Sequence, residues 1–396
     1  DARIKGLANT MKNYQGKLTG LQRLRLVDAK RSEDAMLQKF IDVDPQRKAT
    51  YGTVLPELNA VYAEMSAAAP RELVLDALAN LAGAPLATAL QVVTAATERA
   101  KPDSQRTAAY ADKNLKNTIQ ARQRAMRDFY EPTDRAFFKN ILERALALEG
   151  AHRIAPIADL IGSDLEAFVA AAYASNRLTN PDSLESAYQM TEQQIAASTD
   201  SFIRLARAVR PALEELRETR ARRTGAISKL SALYVDVKEQ FAGKDFIPDA
   251  NSTLRLTYGR IKGYSPSDAT YYSPITTLKG VLEKTTGDEP YNTPSALIEA
   301  AQKNRDSKFM HKTLNDIPVA ILYNTDTTGG NSGSPVMNAK GELIGVNFDR
   351  AYHATINDYA WSDSYSRSIA VDIRYVLWVT KYVGNAGFIL QEIGVE

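Results

Sequence analysis

The chain has 396 residues, 44% hydrophobic and 24% charged, an ordinary globular composition that excludes wholesale disorder. Its 49 Lys and Arg nearly balance 47 Asp and Glu, so no broad basic field exists and nucleic acid is not expected as a partner. Cysteine is absent, which removes disulfide frameworks, thiolate metal sites and cysteine nucleophiles together.

The chain opens Asp1-Ala-Arg-Ile, with neither a Met nor a signal-peptide pattern, and reads as the start of a fragment or of a processed chain. On the first predicted helix Asn9 and Asn13 lie i, i+4 and share a face. The apolar stretch around Leu81 to Leu90 is broken by Pro85 and is too short for a membrane span. Phe129, Ala136, Phe137, Ile141, Ala145 and Leu148 recur at helical spacing, and Ser163-Asp-Leu-Glu166 has capping-box spacing before Phe168. Prolines at 45, 70, 102, 132, 156 and 181 punctuate the region at intervals suiting successive helices. The basic run Arg217, Arg220, Arg222 and Arg223 is interleaved with Glu214, Glu215 and Glu218 and reads as a solvated helix face. Only eight of the 21 glycines fall before residue 226, so residues 1–243 are expected to form an all-helical domain.

Near Gly243 the pattern changes. Leu254-Arg-Leu-Thr-Tyr258 alternates, and Val319 to Tyr323 and Glu342 to Val346 are β-branched or apolar runs. Tyr375 to Val379 fits either a strand or a terminal helix. Asn338-Ala-Lys-Gly341 reads as a hairpin turn. Residues 244–396 are therefore expected to be mostly β, with too few strands to close two barrels. The aromatic pairs Tyr271-Tyr272 and Phe137-Phe138 read as packing, and no His/Asp/Glu grouping has metal spacing, so neither metal nor cofactor is expected.

Residues 328–335 read Thr-Gly-Gly-Asn-Ser-Gly-Ser-Pro. A nucleophilic serine needs a tight loop whose backbone N–H groups converge on the oxyanion of acyl transfer, and small residues allow that curl. Followed by a strand, a hairpin and a strand holding Gly345, this segment resembles the nucleophile loop of chymotrypsin-type serine peptidases. Ser332 is then the nucleophile, the N–H groups of Gly330 and Ser332 form the oxyanion hole, and Asn331 lies between them. The required base is missing: His152 sits within helical periodicity, and neither His311 nor His353 has the expected place.

Gly6-Leu-Ala-Asn-Thr-Met-Lys-Asn-Tyr-Gln-Gly16, Pro248 to Gly259, Thr277-Leu-Lys-Gly280, Asp326 to Pro335 and Val371 to Tyr375 together resemble the bacterial dipeptidyl-peptidase 7 and 11 family of serine exopeptidases. The resemblance covers the whole chain. It implies an α+β architecture in which a large helical capping domain is followed by the C-terminal part of a chymotrypsin-like double β-barrel. It further implies that the catalytic His and Asp lie on a missing N-terminal segment, and that the fragment alone is inactive. A free substrate amine would be held by Asn9, with Asn13 as second choice and a solvated polar face as the bland alternative. Asp349 is a further candidate for the ammonium. Arg350, eighteen residues after Ser332, would face an Asp or Glu before the scissile bond, as in the dipeptidyl-peptidase 11 branch. The alternative is that Arg350 only pairs with Asp349 or Asp358. In a regular strand Asp349 and Arg350 point to opposite faces, so both serve one cleft only if the strand ends or bends there. The family also implies a homodimer in the Gram-negative periplasm or at the outer surface. Two other functions compete: a chymotrypsin-like endopeptidase, and a non-catalytic helical interaction module.

Overall fold

The structure is a computed structural model that describes residues 2–244, 246 and 252–395, without the side chains of residues 2, 3, 181 and 182. Pro248 to Asn251, the front of one family-like string, lie outside the described residues. The chain forms two compact units, Leu37–Asp245 and a second assembled from Asp1–Met36 with Phe246–Glu396. The helical region expected from residue 1 thus differs at its start, because the first helix clusters with the C-terminal part. Among the described residues no single helix is long and apolar enough to cross a membrane.

Helices α1 (Ala2–Arg23) and α2 (Leu26–Val43) lead into the helical unit, which continues with α3 (Pro45–Tyr51), α4 (Val54–Asn80), α5 (Ala84–Arg99), α6 (Asp112–Ala125) and α7 (Glu131–Leu146). It is completed by α8 (Ala155–Ile161), α9 (Leu165–Ala174), α10 (Pro181–Tyr188), α11 (Glu192–Ala197) and the 42-residue α12 (Ser201–Ala242). Helix α5 buries Leu86, Ala89, Val92, Val93, Ala95 and Ala96, so apolar residues surround it and it forms the centre of this unit. Beside it the buried rings of Phe138, Tyr173 and Phe202 pack with centroids 5.0–5.9 Å apart, in tilted and edge-on arrangements that suit the ring quadrupoles. The carboxylate of Asp134 is buried there and accepts from the backbone N–H of Ala84 at 2.7 Å and from the Tyr173 hydroxyl. That contact explains Gly83, which has φ +97° and whose absent Cβ would lie 2.3 Å from Asp134 Oδ1.

Several local expectations change. Helix α9 starts where expected, but Asp164 caps it, accepting from Ala167 N–H at 2.8 Å, rather than Ser163. The reciprocal capping box occurs instead at Thr191 and Gln194. Pro70 does not end a helix; it lies inside α4, and Pro211 lies inside α12. The basic run is exposed at Arg217, Arg220 and Arg222, as a solvated face would be, but not at Arg223. Arg223 is buried and bonds Glu64 and Glu72, Arg220 bonds Asp76, and Arg222 bonds Glu64, an ion ladder joining α12 to α4.

The second unit is built on one antiparallel sheet of five strands: β1 (Ile275–Thr277), β2 (Pro318–Tyr323), β3 (Pro335–Met337), β4 (Leu343–Arg350) and β5 (Ser368–Asp372), in the order β1-β2-β5-β4-β3. It is less β-rich than expected, since α13 (Leu278–Glu283), α14 (Ser295–Lys303), α15 (Ile373–Trp378) and α16 (Gly387–Glu392) interleave with the strands. Tyr375 to Trp378 is helical despite its β-type residues. Asp372 caps this helix by accepting from Arg374 N–H, and Trp378 is fully buried with Leu278, Phe309, Ile317 and Leu390. Here the helix cap and the core override strand propensity. Asp316 anchors the same cluster, taking Arg305 two-pronged at 2.7 and 2.9 Å and the N–H groups of Lys279 and Ile317. Leu254, Leu256 and Tyr258 do not enter the sheet; they are 97%, 88% and 90% exposed on an irregular segment.

Helix α1 lies against the 3-10 segment Tyr352–Asp358 because two glycines clear the way. A Cβ on Gly16 would meet Thr355 Oγ1 at 2.3 Å, and one on Gly20 would meet Ile356 Cβ at 2.7 Å. This close approach sets the position of every polar residue on that helix face.

Candidate active site

The segment Thr328 to Pro335 is a tight loop leading into β3, and its shape follows from its residues. Gly330 (φ +106°) and Gly333 (φ +85°) occupy backbone conformations that side chains disfavour. Asn331 closes the turn: its N–H donates to Thr328 O at 3.2 Å and its Oδ1 accepts from Thr328 N–H at 3.0 Å. Asn347 on β4 clamps the loop from below. Its Nδ2 donates to Asn331 O at 3.1 Å, its carbonyl accepts from Gly333 N–H at 2.7 Å, and its N–H donates to Ser334 O at 2.9 Å. Asn347 is itself buried and held by the Tyr323 hydroxyl on β2. Burial alone raises the Tyr323 pKa far above its usual value, so the phenol stays a donor to the amide oxygen.

This scaffold leaves Ser332 exposed at the apex, with a long contact of 3.4 Å from its Oγ to Phe348 O. Among the described residues the N–H groups of Gly330 and Ser332 donate to no protein acceptor. They are therefore available to an incoming oxygen, as an oxyanion site requires. Beside the loop lies a hollow of about 490 Å³, lined by Gly333, Phe348, Val346, Ala320, Val371 and Tyr375.

No histidine bonds Ser332 among the described residues. His353 is held by Tyr264, whose hydroxyl is 3.0 Å from Nδ1, and packs among Tyr264, Tyr272 and Tyr352. Burial first, and the nearby Arg23 second, lower its pKa, which suits a neutral ring in an aromatic cluster. His311 turns inward on its own loop, its Nδ1 accepting from Leu314 N–H at 3.3 Å. His152 lies in a short 3-10 turn, Gly150–His152, of the helical unit rather than within a long helix. Among the described residues no group of three or more His, Asp or Glu is placed to hold a metal ion.

The end of β4 carries the other predicted residues. The register shifts between Asn347 and Asp349, a bulge at Phe348, after which Asp349 and Arg350 pair in regular register with Ile369 and Ser368 and the strand ends at Arg350. Asp349 is exposed and its Oδ1 accepts from Arg350 N–H at 2.8 Å. The Arg350 guanidinium pairs with Asp358 through Nη1 at 2.8 Å and Nη2 at 3.2 Å, so one of the two bland partners weighed from sequence is the one it has here. The same carboxylate accepts Lys17 Nζ at 2.8 Å and a long contact of 3.5 Å from Thr328 Oγ1 on the Ser332 loop. Arg350 first, then Lys17, pull the Asp358 pKa to about 2 against the opposing effect of burial.

Asn9 is exposed and Asn13 half-buried, and neither side chain has a hydrogen-bond partner among the described residues. Sequence reasoning missed Asn347, Tyr323 and Lys17. Lys17 alone carried a usable signal, since it follows Asn9 and Asn13 at i, i+4 spacing on α1.

Comparison with known proteins gives the family. The Peptidase S46 family model matches residues 1–395. An Asp/Glu-specific dipeptidyl-peptidase of Shewanella putrefaciens is 30% identical over 417 aligned residues, covering 98% of this chain and 56% of the relative. A dipeptidyl-peptidase 7 of Capnocytophaga gingivalis is 29% identical, covering 100% of this chain and 55% of the relative. The chain therefore spans about half the length of the curated relatives it matches. The crystal structure of Porphyromonas endodontalis DPP11 in complex with the dipeptide Arg-Glu has a TM-score of 0.76 at 24% identity, covering 96% of this chain and 54% of that one. With a family model matched across nearly its whole length, this chain belongs to the peptidase S46 family.

Proposed function

We propose that the complete protein is a serine exopeptidase that releases dipeptides from free peptide N-termini, preferring Asp or Glu before the scissile bond. The observation that carries this reading is the Ser332 loop: an exposed hydroxyl with two unpartnered N–H groups, held rigid by Asn331 and Asn347. In the reaction the Ser332 oxygen attacks the scissile carbonyl while its proton passes to a base, and the carbonyl oxygen takes up charge against the N–H groups of Gly330 and Ser332. Collapse of that intermediate returns the proton to the leaving amine, and water then releases the dipeptide. The base and its orienting acid lie, on this reading, on an N-terminal segment outside this chain. The lack of a histidine at Ser332 supports that reading. So do the three apolar side chains of Leu254, Leu256 and Tyr258, which alternate on an exposed segment as a strand awaiting a sheet partner would. A double β-barrel with the helical unit as its cap is the architecture that follows.

Preference for an acidic side chain rests on Arg350, whose planar fork matches a carboxylate. The curated relatives named Asp/Glu-specific dipeptidyl-peptidases favour the same assignment. For the substrate ammonium the geometry favours Asn13 over Asn9. Helical rise puts Asn13 about 6 Å and Asn9 about 12 Å along the axis from Lys17 at the Arg350 cluster. The amine of a dipeptide and its second side chain are separated by about 6 to 8 Å at the rise of an extended chain, which suits the nearer residue. Asp349 would add a counter-charge. A homodimer in the periplasm or at the cell surface completes the proposal.

Ser332→Ala in the complete enzyme is expected to reduce dipeptide release by at least about 10³-fold, and an organophosphonate should label Ser332 in the parent protein. Retained turnover would overturn the nucleophile assignment. Equal cleavage of substrates with free and acetylated amines would instead identify an endopeptidase.

A further inference from the structure

We propose that Lys17 is a second specificity determinant of the acidic pocket, and that Asp358 is the positioning residue holding Lys17 and Arg350 in one cluster. This deepens the acidic-pocket reading above and rests on it.

Two cations converge on one carboxylate. Arg350 meets Asp358 in two-pronged fashion and Lys17 meets the same group at 2.8 Å, leaving one unit of positive charge uncompensated among these three side chains, while the neighbouring exposed Asp349 carboxylate accepts from the Arg350 backbone N–H instead. Donors remain as well. Of the five N–H groups on the guanidinium two are used, and of the three on the ammonium one is used. The side chains of Arg350, Lys17 and Asp358 are 15%, 25% and 29% exposed, so the cluster is partly shielded from water yet open to a ligand. A second carboxylate entering here completes the charge balance, whereas an amide or an alkyl group does not.

The fold supplies the cluster from three separate pieces. Lys17 comes from α1, brought close by Gly16 and Gly20; Arg350 follows the Phe348 bulge; Asp358 ends the 3-10 segment. Thr328 Oγ1, within 3.5 Å of Asp358, links the cluster to the loop bearing Ser332. The order of groups on α1 also fits a dipeptide, because Asn13 lies one turn before Lys17 on the same face.

The test uses the complete protein carrying Ser332→Ala and measures calorimetric affinity for the dipeptides Arg-Glu and Arg-Gln. Lys17→Met is expected to lower the Glu-over-Gln preference about tenfold, the loss of one charge-assisted hydrogen bond, and Lys17→Arg to restore most of it. Asp358→Asn raises the net charge of the cluster, so simple electrostatics would increase the preference. A positioning role requires it to fall. An unchanged ratio in Lys17→Met, with the preference still abolished by Arg350→Gly, would overturn the role of Lys17 while leaving the acidic pocket standing. A raised ratio in Asp358→Asn would overturn the positioning role. Equal affinity for both dipeptides in the parent protein would overturn the acidic pocket itself.

Discussion

Replacing Asp316 by Asn should destabilise the sheet-bearing unit at neutral pH and barely affect it in strong acid. The buried carboxylate takes two hydrogen bonds from Arg305 and one each from the N–H groups of Lys279 and Ile317. Burial pushes its pKa upward, but Arg305 and these N–H groups outweigh it and hold the group at about 2, below its ordinary 3.8. The group binds its proton less tightly folded than unfolded, so its contribution is complete above the unfolded pKa and is lost as pH falls through about 2. A shift of nearly two units corresponds to roughly 2 kcal/mol. Urea unfolding followed by tryptophan fluorescence reads this unit alone, because Trp361 and Trp378 both lie in it and Trp378 shares a buried cluster with Ile317. The stability gap between parent and variant should be about 2 kcal/mol at pH 7 and narrow to well under half of that near pH 2. A gap that stays constant across this range would refute the electrostatic account.

Arg223→Ala leaves Glu72 facing an empty space in the helical unit and should cost about 3 kcal/mol, with Arg223→Met recovering some of the packing, as thermal unfolding by circular dichroism can measure. Gly83→Ala should cost more than about 2 kcal/mol in the same assay, since it combines positive φ with a collision at Asp134. Asn347→Ala should lower turnover by the complete enzyme about tenfold or more, and slow phosphonate labelling equally, because the loop under Ser332 loses its clamp.

The tight turn around Ser332 was legible because its shape is set locally: glycines that permit the turn, an asparagine that closes it and a serine at the apex all lie within eight consecutive residues. Helices α7 and α9 were legible for the same reason, the apolar spacing of the one and the capping segment of the other being near neighbours along the chain. The residues that escaped act across long separations. Nothing near Asn347 says that its amide clamps a loop and is held by Tyr323, and nothing near Lys17 says that it meets Asp358. The bulge at Phe348 depends on the pairing of β4 with β5, so sequence left open whether the strand bends there. Tyr375 to Trp378 went either way from sequence because β-branched and aromatic residues favour a strand, while the deciding helix cap sits just before them at Asp372. Arg223 read as solvated with the rest of its run because the partners that bury it, Glu64 and Glu72, lie on α4, far away along the chain.

The division of the chain has a consequence for how the protein is made. Leu37 and Ile41 share a buried cluster with Val237, so the start and end of the helical unit are held together by its own packing. During synthesis this unit is complete before residue 246 leaves the ribosome, and it can bury its core first. A flexible loop of that length would cost on the order of 5 kcal/mol to close. A folded insert whose ends already meet removes most of that penalty from the later step. Helix α1, by contrast, waits for the segment Tyr352–Asp358 to emerge before it can dock. Lys17 and Asp358 are then among the last groups to find each other, and the charge cluster forms after the scaffold that carries it.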